Sequence, residues 1–335
     1  MDLAADASVL AVIVARIGDT MLATPALRAL RRASGRLAVL AHPKRREVLQ
    51  HLDFIDELGS ISKDSAWLRR LFHRRRYDAA ICYGRDPELL DFCARVAARV
   101  VVFDYPELRG AGGQTVLRVP VPEDSSMHAV KERLLLAEAA GAQAGDLRLA
   151  YNVTPQERLD ASAWIGRKLA GKPGPLVGLQ ALSFATKAHR DWPVDRFVAL
   201  ARKIAQAYPR SHILILGDAS ARPLAPAFAA ALPGRCTLAA GQFSLRQSAA
   251  LMQQLDLYVG VDTGPTHIAG ALGVPMVALY HAAYAGRNLM PLDHARCVAI
   301  EHPLTLSVGC HGASMDAITL EQVWAAAKSL LGEPA

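Results

Sequence analysis

Aromatic side chains are scarce, 6% of 335 residues, and no recognisable nucleic-acid-reading module accompanies them. Single-stranded nucleic acids are held largely by stacking on aromatics, so nucleic acid is not an expected partner. No apolar run approaches the roughly 20 residues needed to span a bilayer. The first such run, 9–15, follows acidic residues where a secretory signal carries positive ones, so no leader is expected. The five cysteines (Cys82, Cys93, Cys236, Cys297, Cys310) form no CxxC pair, and His302 and His311, which flank Cys310, match no zinc spacing. Buried free thiols in a reducing cytoplasm are expected instead. The chain also lacks a P-loop, an HExxH pair and a G-x-S-x-G elbow, and only Gly18 follows the first apolar run where a dinucleotide fingerprint needs three glycines. It has no Asp-x-Asp pair of the kind that commonly holds a divalent metal on a nucleotide sugar.

What is present is an apolar chain, 52% hydrophobic, with a net charge of +7. Disorder is excluded by that composition. At roughly 100–200 residues per domain the length predicts two domains. The charge is concentrated between Arg28 and Arg76, where 13 basic residues face 5 acidic ones, a surplus of 8 that leaves the rest of the chain at −1. Such a field favours an anionic partner: nucleic acid, a phosphorylated glycan or a membrane surface. Solvated helix faces would produce the same pattern.

Short β-branched runs alternate with helical periodicity throughout. Strands are predicted at 9–15, 37–41, 79–83, 100–103, 176–180, 212–216, 257–261, 276–280 and 297–300, with helices at 25–32, 87–98, 131–140, 193–207 and 245–254. Alternation of this kind is an α/β pattern with parallel sheets. Continuously apolar strands such as Ala11-Val-Ile-Val14 are buried on both faces. The breaker cluster Gly171-Lys-Pro-Gly-Pro175 follows a further helix, and strand–helix alternation restarts after it. This predicts one domain over 1–160 and a second over 161–335, the last helix packing back on the first. In such folds ligands sit beyond the carboxyl ends of the strands, so the loops after strands should carry the chemistry.

Three of those loops stand out. Arg16-Ile-Gly-Asp19 follows the first strand and leads into Thr24-Pro-Ala-Leu-Arg-Ala-Leu30. Near a helix start the dipole favours a charged carboxylate, and Asp19 is either a general base toward a hydroxyl or a helix cap. Asp262-Thr-Gly-Pro-Thr-His267 joins a buried strand to a helix of small residues. Thr263, Gly264 and Thr266 there form a phosphate-binding helix start, with His267 in the first turn; alternatively Thr263 is a cap and His267 a core residue. Ser183-Phe-Ala-Thr-Lys-Ala-His-Arg190-Asp-Trp-Pro193 offers Thr186, Lys187, His189 and Arg190 to phosphate oxygens, or to solvent alone. His281, Arg287 and Asn288 follow another strand and are weaker candidates for nucleotide or sugar contact.

In order and spacing, the three segments together resemble the lipopolysaccharide heptosyltransferases of glycosyltransferase family 9. The resemblance implies a GT-B fold, two Rossmann-like parallel-sheet domains facing a cleft, with acceptor on the first and nucleotide sugar on the second. It implies an inverting, metal-independent glycosyltransferase without a cofactor, moving heptose from ADP-heptose to the lipopolysaccharide inner core or a lipid-linked glycan. The location implied is cytoplasmic, with peripheral association at the inner membrane surface. By carry-over Asp19 is the catalytic base. Thr186, Lys187, Arg190, Asp262, Thr263, Gly264, Thr266 and His267 bind the donor, Arg190 being preferred to Lys187 because it keeps its spacing to Trp192-Pro193. Arg16, Arg45, Arg46, Arg74 and Arg75 are assigned to the acceptor. The chain departs from the family where a Gly-Pro-Thr turn is usual and His281-Ala-Ala-Tyr284 stands instead, and where a Cys-Met pair is replaced by Ser314-Met315. A nucleotide-sugar epimerase of GT-B fold, a glycosyltransferase with another donor and a non-catalytic nucleotide-sugar-binding protein are the competing readings.

Overall fold

The computed structural model describes residues 3–66, 76–123, 127–169 and 174–333. The chain divides into two units, Met1–Asn152 and Val153–Ala335. The division falls eight residues before the expected one, so the helix Pro155–Leu169 lies whole in the second unit.

The first unit is built on six parallel strands: β1 (Ser8–Ile13), β2 (Arg36–Ala41), β3 (Glu57–Ser60), β4 (Tyr77–Cys82), β5 (Ala97–Phe103) and β6 (Val116–Val119), in the order β3-β2-β1-β4-β5-β6. Leu10 of β1 pairs with Ala38 on one side and Ala80 on the other. Helices α1 (Ile17–Leu22), α2 (Thr24–Arg32), α3 (Pro87–Val96) and α4 (Ala129–Ala139) accompany these strands. Residues 9–13 of β1 are buried on both faces, as the uninterrupted apolar run requires.

The second unit repeats the winding. Strands β7 (Leu176–Gln180), β8 (His212–Ile215), β9 (Cys236–Leu238), β10 (Leu257–Val261), β11 (Met276–Tyr280) and β12 (Cys297–Glu301) are ordered β12-β11-β10-β7-β8-β9, again all parallel. Helices α5 (Pro155–Leu169), α6 (Val194–Ala207), α7 (Ala225–Ala231), α8 (Leu245–Met252), α9 (Gly264–Ala271), α10 (Gly286–Leu289) and α11 (Leu320–Leu331) accompany them. In each unit the first strand pairs with the second on one side and the fourth on the other, which creates a switch point where ligands bind in open α/β sheets.

The strands missed from the sequence, β3, β6 and β9, are all sheet edges with partly exposed residues. Short edge strands lack the continuous apolar signature of central ones. The last helix buries Val323 and Ala327 in the second unit's own core beside Ile318 and Phe197. A capping box between Thr319 and Gln322 starts it. Helix α5 is stapled to α8 by the bidentate Arg246–Glu157 pair and by Trp164 edge-on to Phe243 at 5.1 Å. Hydrogen bonding from Arg246 holds the Glu157 carboxyl down at about 2, against the opposing effect of burial.

Candidate functional site

In the first unit the chain leaves β1 at Ile13 and enters α1 through Arg16, whose backbone is extended at the cap position. Arg16 makes no side-chain cap, and Thr20 closes the turn by donating to the Arg16 carbonyl at 2.9 Å. Asp19 is not the cap. It sits in the first turn, and its Oδ1 accepts from Nη2 of Arg133 at 2.8 Å. Arg133 comes from α4, where its Nη1 also donates to the Ala129 carbonyl at 2.9 Å. The Asp19 side chain keeps 46% of its surface exposed and Arg133 only 18%. The arginine is therefore spent on the protein, and the carboxylate faces outward.

What it faces is a cavity of about 480 Å³ lined by Arg16, Asp19, Tyr83, Arg85, Tyr105 and Arg133, among others. Tyr83 follows β4, so the cavity lies at the switch point between β1 and β4. The Tyr83 hydroxyl is buried without a hydrogen-bond partner, and burial pushes its pKa up. Arg85 stacks its guanidinium 4.1 Å from the Tyr105 ring centroid. Of the other arginines assigned to the acceptor, Arg45 donates to the Ala15 carbonyl at 3.3 Å and so fixes the loop before Arg16. Arg46 is exposed at the start of a short turn, and Arg74 and Arg75 lie outside the described residues.

Sequence reading missed Tyr83, Arg85, Tyr105 and Arg133. Tyr83 and Arg85 had a usable signal, because they end a predicted strand. Arg133 had none, since it is one cation on a helix 114 residues from Asp19.

The second unit's switch point lies between β7 and β10. The loop after β7 is closed by Asp191, whose Oδ1 accepts from the Ser183 amide at 2.7 Å. Burial pushes the Asp191 carboxyl up, although the Ser183 bonds pull the other way. Trp192 then anchors the loop: it is fully buried, edge-on to Phe197, and donates from Nε1 to the Ile318 carbonyl at 2.9 Å. Between these fixed points Arg190 reaches Asp262, the residue after β10, with Nη1 2.9 Å from Oδ2. Asp262 Oδ1 lies 3.5 Å from Nε2 of His267, in the first turn of α9. Asp262 thus orients two other groups, with only 6% of its own side chain exposed. Nε of Arg190 and Nδ1 of His267 are buried without partners.

Thr263 occupies the cap position of α9 but makes no side-chain cap, and Gly264 begins the helix. Thr266 is corrected from ligand to support. It is fully buried, and its hydroxyl is committed to the Val261 carbonyl and the Tyr258 hydroxyl. Gly260 makes this possible, because a Cβ there would stand 2.6 Å from the Tyr258 hydroxyl oxygen. Thr186 is exposed and Lys187 partly so, on a short turn, Ala185–Arg190. His281 does not serve as a ligand: fully buried, its Nδ1 accepts from the Ala283 amide and its Nε2 donates to the Ala313 carbonyl. His302 is wired alike, to the Leu304 amide and the Ser314 carbonyl. Arg287 pairs with Glu301. Tyr284, unremarked as a ligand in the sequence, lies with its ring centroid 3.5 Å from the Arg190 guanidinium carbon.

Chemically, the second unit offers an oriented arginine beside a helix N-terminus, a setting for phosphate oxygens. The first offers an oriented carboxylate in a cavity. Among the described residues no group of three or more His, Cys, Asp or Glu converges as a metal site, and no helix is long and apolar enough to cross a membrane.

The chain superposes on a glycosyl transferase family 9 structure from Veillonella parvula with a TM-score of 0.81 at 20% identity, covering 98% of both chains. With E. coli ADP-heptose lps heptosyltransferase II the TM-score is 0.75 at 19% identity, over 97% of this chain and 98% of that one. With E. coli heptosyltransferase WaaC bound to ADP-2-deoxy-2-fluoro heptose it is 0.69 at 16% identity, over 94% and 97%. These likenesses establish the fold as GT-B. No curated protein sequence matches the chain. Residues 105–300, more than half the chain, match the family described as glycosyltransferase family 9 (heptosyltransferase), and the chain belongs to that family of enzymes.

Proposed function

We propose that this glycosyltransferase moves heptose from ADP-heptose to a hydroxyl of the lipopolysaccharide inner core, by a single inverting displacement that needs no metal. The observation that carries the reading is the pair of oriented ions: Asp19 held outward by Arg133, and Arg190 held by Asp262 at the start of α9. Asp19 takes the proton of the acceptor hydroxyl while that oxygen attacks the anomeric carbon. The bond from that carbon to the phosphate oxygen breaks on the opposite face, and the electron pair leaves with ADP. Arg190 and Lys187, with Thr186, Thr263, Gly264 and His267, receive the developing negative charge. A well-placed donor of this kind contributes about 3–4 kcal/mol to such a step.

The acceptor is read as an anionic, lipid-anchored glycan met at the cytoplasmic face of the inner membrane. Support comes from the charge surplus between Arg28 and Arg76 and from Arg16 and Arg85 around the Asp19 cavity.

The test is a nucleotide panel. A ligand that binds only the native state raises Tm in proportion to the logarithm of its affinity. ADP is expected to raise Tm more than UDP or GDP at equal concentration, and ADP-heptose is expected to be consumed when a core acceptor is added. A larger shift with UDP would replace the donor. ADP-heptose turnover that stops when EDTA is added and returns with a divalent cation would replace the metal-free mechanism.

A further inference from the structure

We propose that Tyr284 is a positioning residue for the donor diphosphate: its ring fixes the plane of the Arg190 guanidinium, so that the edge not held by Asp262 is presented to phosphate oxygens. The inference rests on the second unit being the donor unit.

A guanidinium carries five N–H donors in one plane, and its value to a phosphate lies in presenting two of them together. The 2.9 Å bond from Nη1 to Asp262 fixes one corner of that plane but not its tilt. A ring 3.5 Å from Cζ lies against the face and fixes the tilt. Asp262 supplies the hinge and Tyr284 the backstop.

Tyr284 is itself held from a fixed point. Its amide donates to the His281 carbonyl at 2.8 Å, closing the turn after β11. His281 is fully buried, receives the Ala283 amide on Nδ1 and is tied through Nε2 to Ala313.

Lys187 joins the arrangement from the same short turn as Arg190. Burial alone would raise the Tyr284 phenol, but Arg190 and then Lys187 outweigh it and bring the group below its ordinary value. The charged and titratable groups around the phenol are Arg190, Lys187 and His281, with Asp262 and His189 behind them. Two cations converging on one phenol have a consequence at alkaline pH. The phenolate pairs with both and competes with a diphosphate for them.

The experiment titrates ADP and, separately, inorganic pyrophosphate into the full-length protein and its variants by calorimetry. Tyr284→Phe keeps the ring and should bind within about 2-fold of wild type, whereas Tyr284→Ala should bind about 3- to 10-fold more weakly. In the Arg190→Ala background, Tyr284→Ala should cost nothing further, because the ring acts only through Arg190. Wild-type affinity should fall several-fold as pH rises toward about 10, the ordinary phenol value, and Tyr284→Phe should flatten that limb. Thermal melts check that the half-buried Tyr284 variants stay folded, with Tyr284→Leu as a second non-aromatic variant. Equal affinity of wild type and Tyr284→Ala overturns the proposal, as do losses that multiply in the double variant or binding of neither ligand. Pyrophosphate binding that depends on Tyr284 without ADP binding would instead reject adenosine and keep the positioning role.

Discussion

After its first strand the first unit presents a carboxylate steadied by an arginine. After its first strand the second unit presents an arginine steadied by a carboxylate. The two sheets are wound alike, and both pairs sit at the switch point. The two pairs differ in which partner is the more exposed. Asp19 is 46% exposed against 18% for Arg133, and Arg190 is 14% exposed against 6% for Asp262. One topology thus leaves the carboxylate as the more exposed ion in one unit and the arginine in the other, which on the proposed reading makes one a proton acceptor and the other an anion receptor. The depths differ too. The Arg190–Asp262 pair is nearly dry, so removing one of its partners leaves a buried charge, which is not so at the more exposed Asp19–Arg133 pair.

On the proposed reading the Asp19 carboxylate is the most sensitive position in either unit. Asp19→Ala should lower kcat by about 100- to 10,000-fold, the usual contribution of a general base, while ADP affinity stays within about 2-fold. Undiminished turnover would end the base assignment. Arg133→Ala should lower kcat by about 10-fold through misorientation of Asp19, and Arg133→Lys should recover part of it. An effect of Arg133→Ala confined to acceptor KM would make the arginine a ligand and not a support.

In the second unit the supporting residue should cost stability as well as binding. Asp262→Ala leaves Arg190 with an uncompensated buried charge, and removing one partner of such a pair typically costs about 3–5 kcal/mol. Asp19→Ala, at a half-exposed pair, should cost about 1 kcal/mol or less. Urea midpoints at constant slope measure both. Equal losses would mean that burial does not separate the two pairs. Arg190→Ala should weaken ADP binding by about 10-fold or more, with Lys187→Ala costing less, since among the described residues no carboxylate pairs with Lys187 to orient it.

How far the sequence carried depended on how local each signal was. Central strands were legible because burial on both faces writes an unbroken apolar run, as in β1, β7, β10 and β11. Edge strands such as Glu57–Ser60 write no such run. Asp19 and Asp262 were legible because each sits close behind a readable strand, and Arg190 because of its spacing to Trp192-Pro193. Their partnerships were not: Asp19 pairs across 114 residues and Arg190 across 72. Thr266 shows the opposite failure. A hydroxyl in a helix first turn reads as a ligand, and only its burial against Tyr258 and Val261 shows that it is already taken.

The smallest expected effect concerns acid. His281 is fully buried in the second unit. Burial lowers its pKa, the Ala313 carbonyl pulls it back, and His189, His302 and Arg190 lower it further. In the unfolded chain the same imidazole binds its proton near about 6.5. Above that value both states are neutral and the native wiring is intact. As pH falls through about 6.5 toward the lower native value, the unfolded state takes up the proton first, so stability is lost on the acid side. Tm should therefore drop between about pH 7.5 and about pH 5.5, more shallowly in His281→Asn. The comparison sharpens if amide exchange accelerates over 281–314 in the second unit while β1 and β4 in the first keep their protection. Acceleration in both units alike would assign the acid sensitivity to the chain as a whole and not to the histidine that sets the Tyr284 turn.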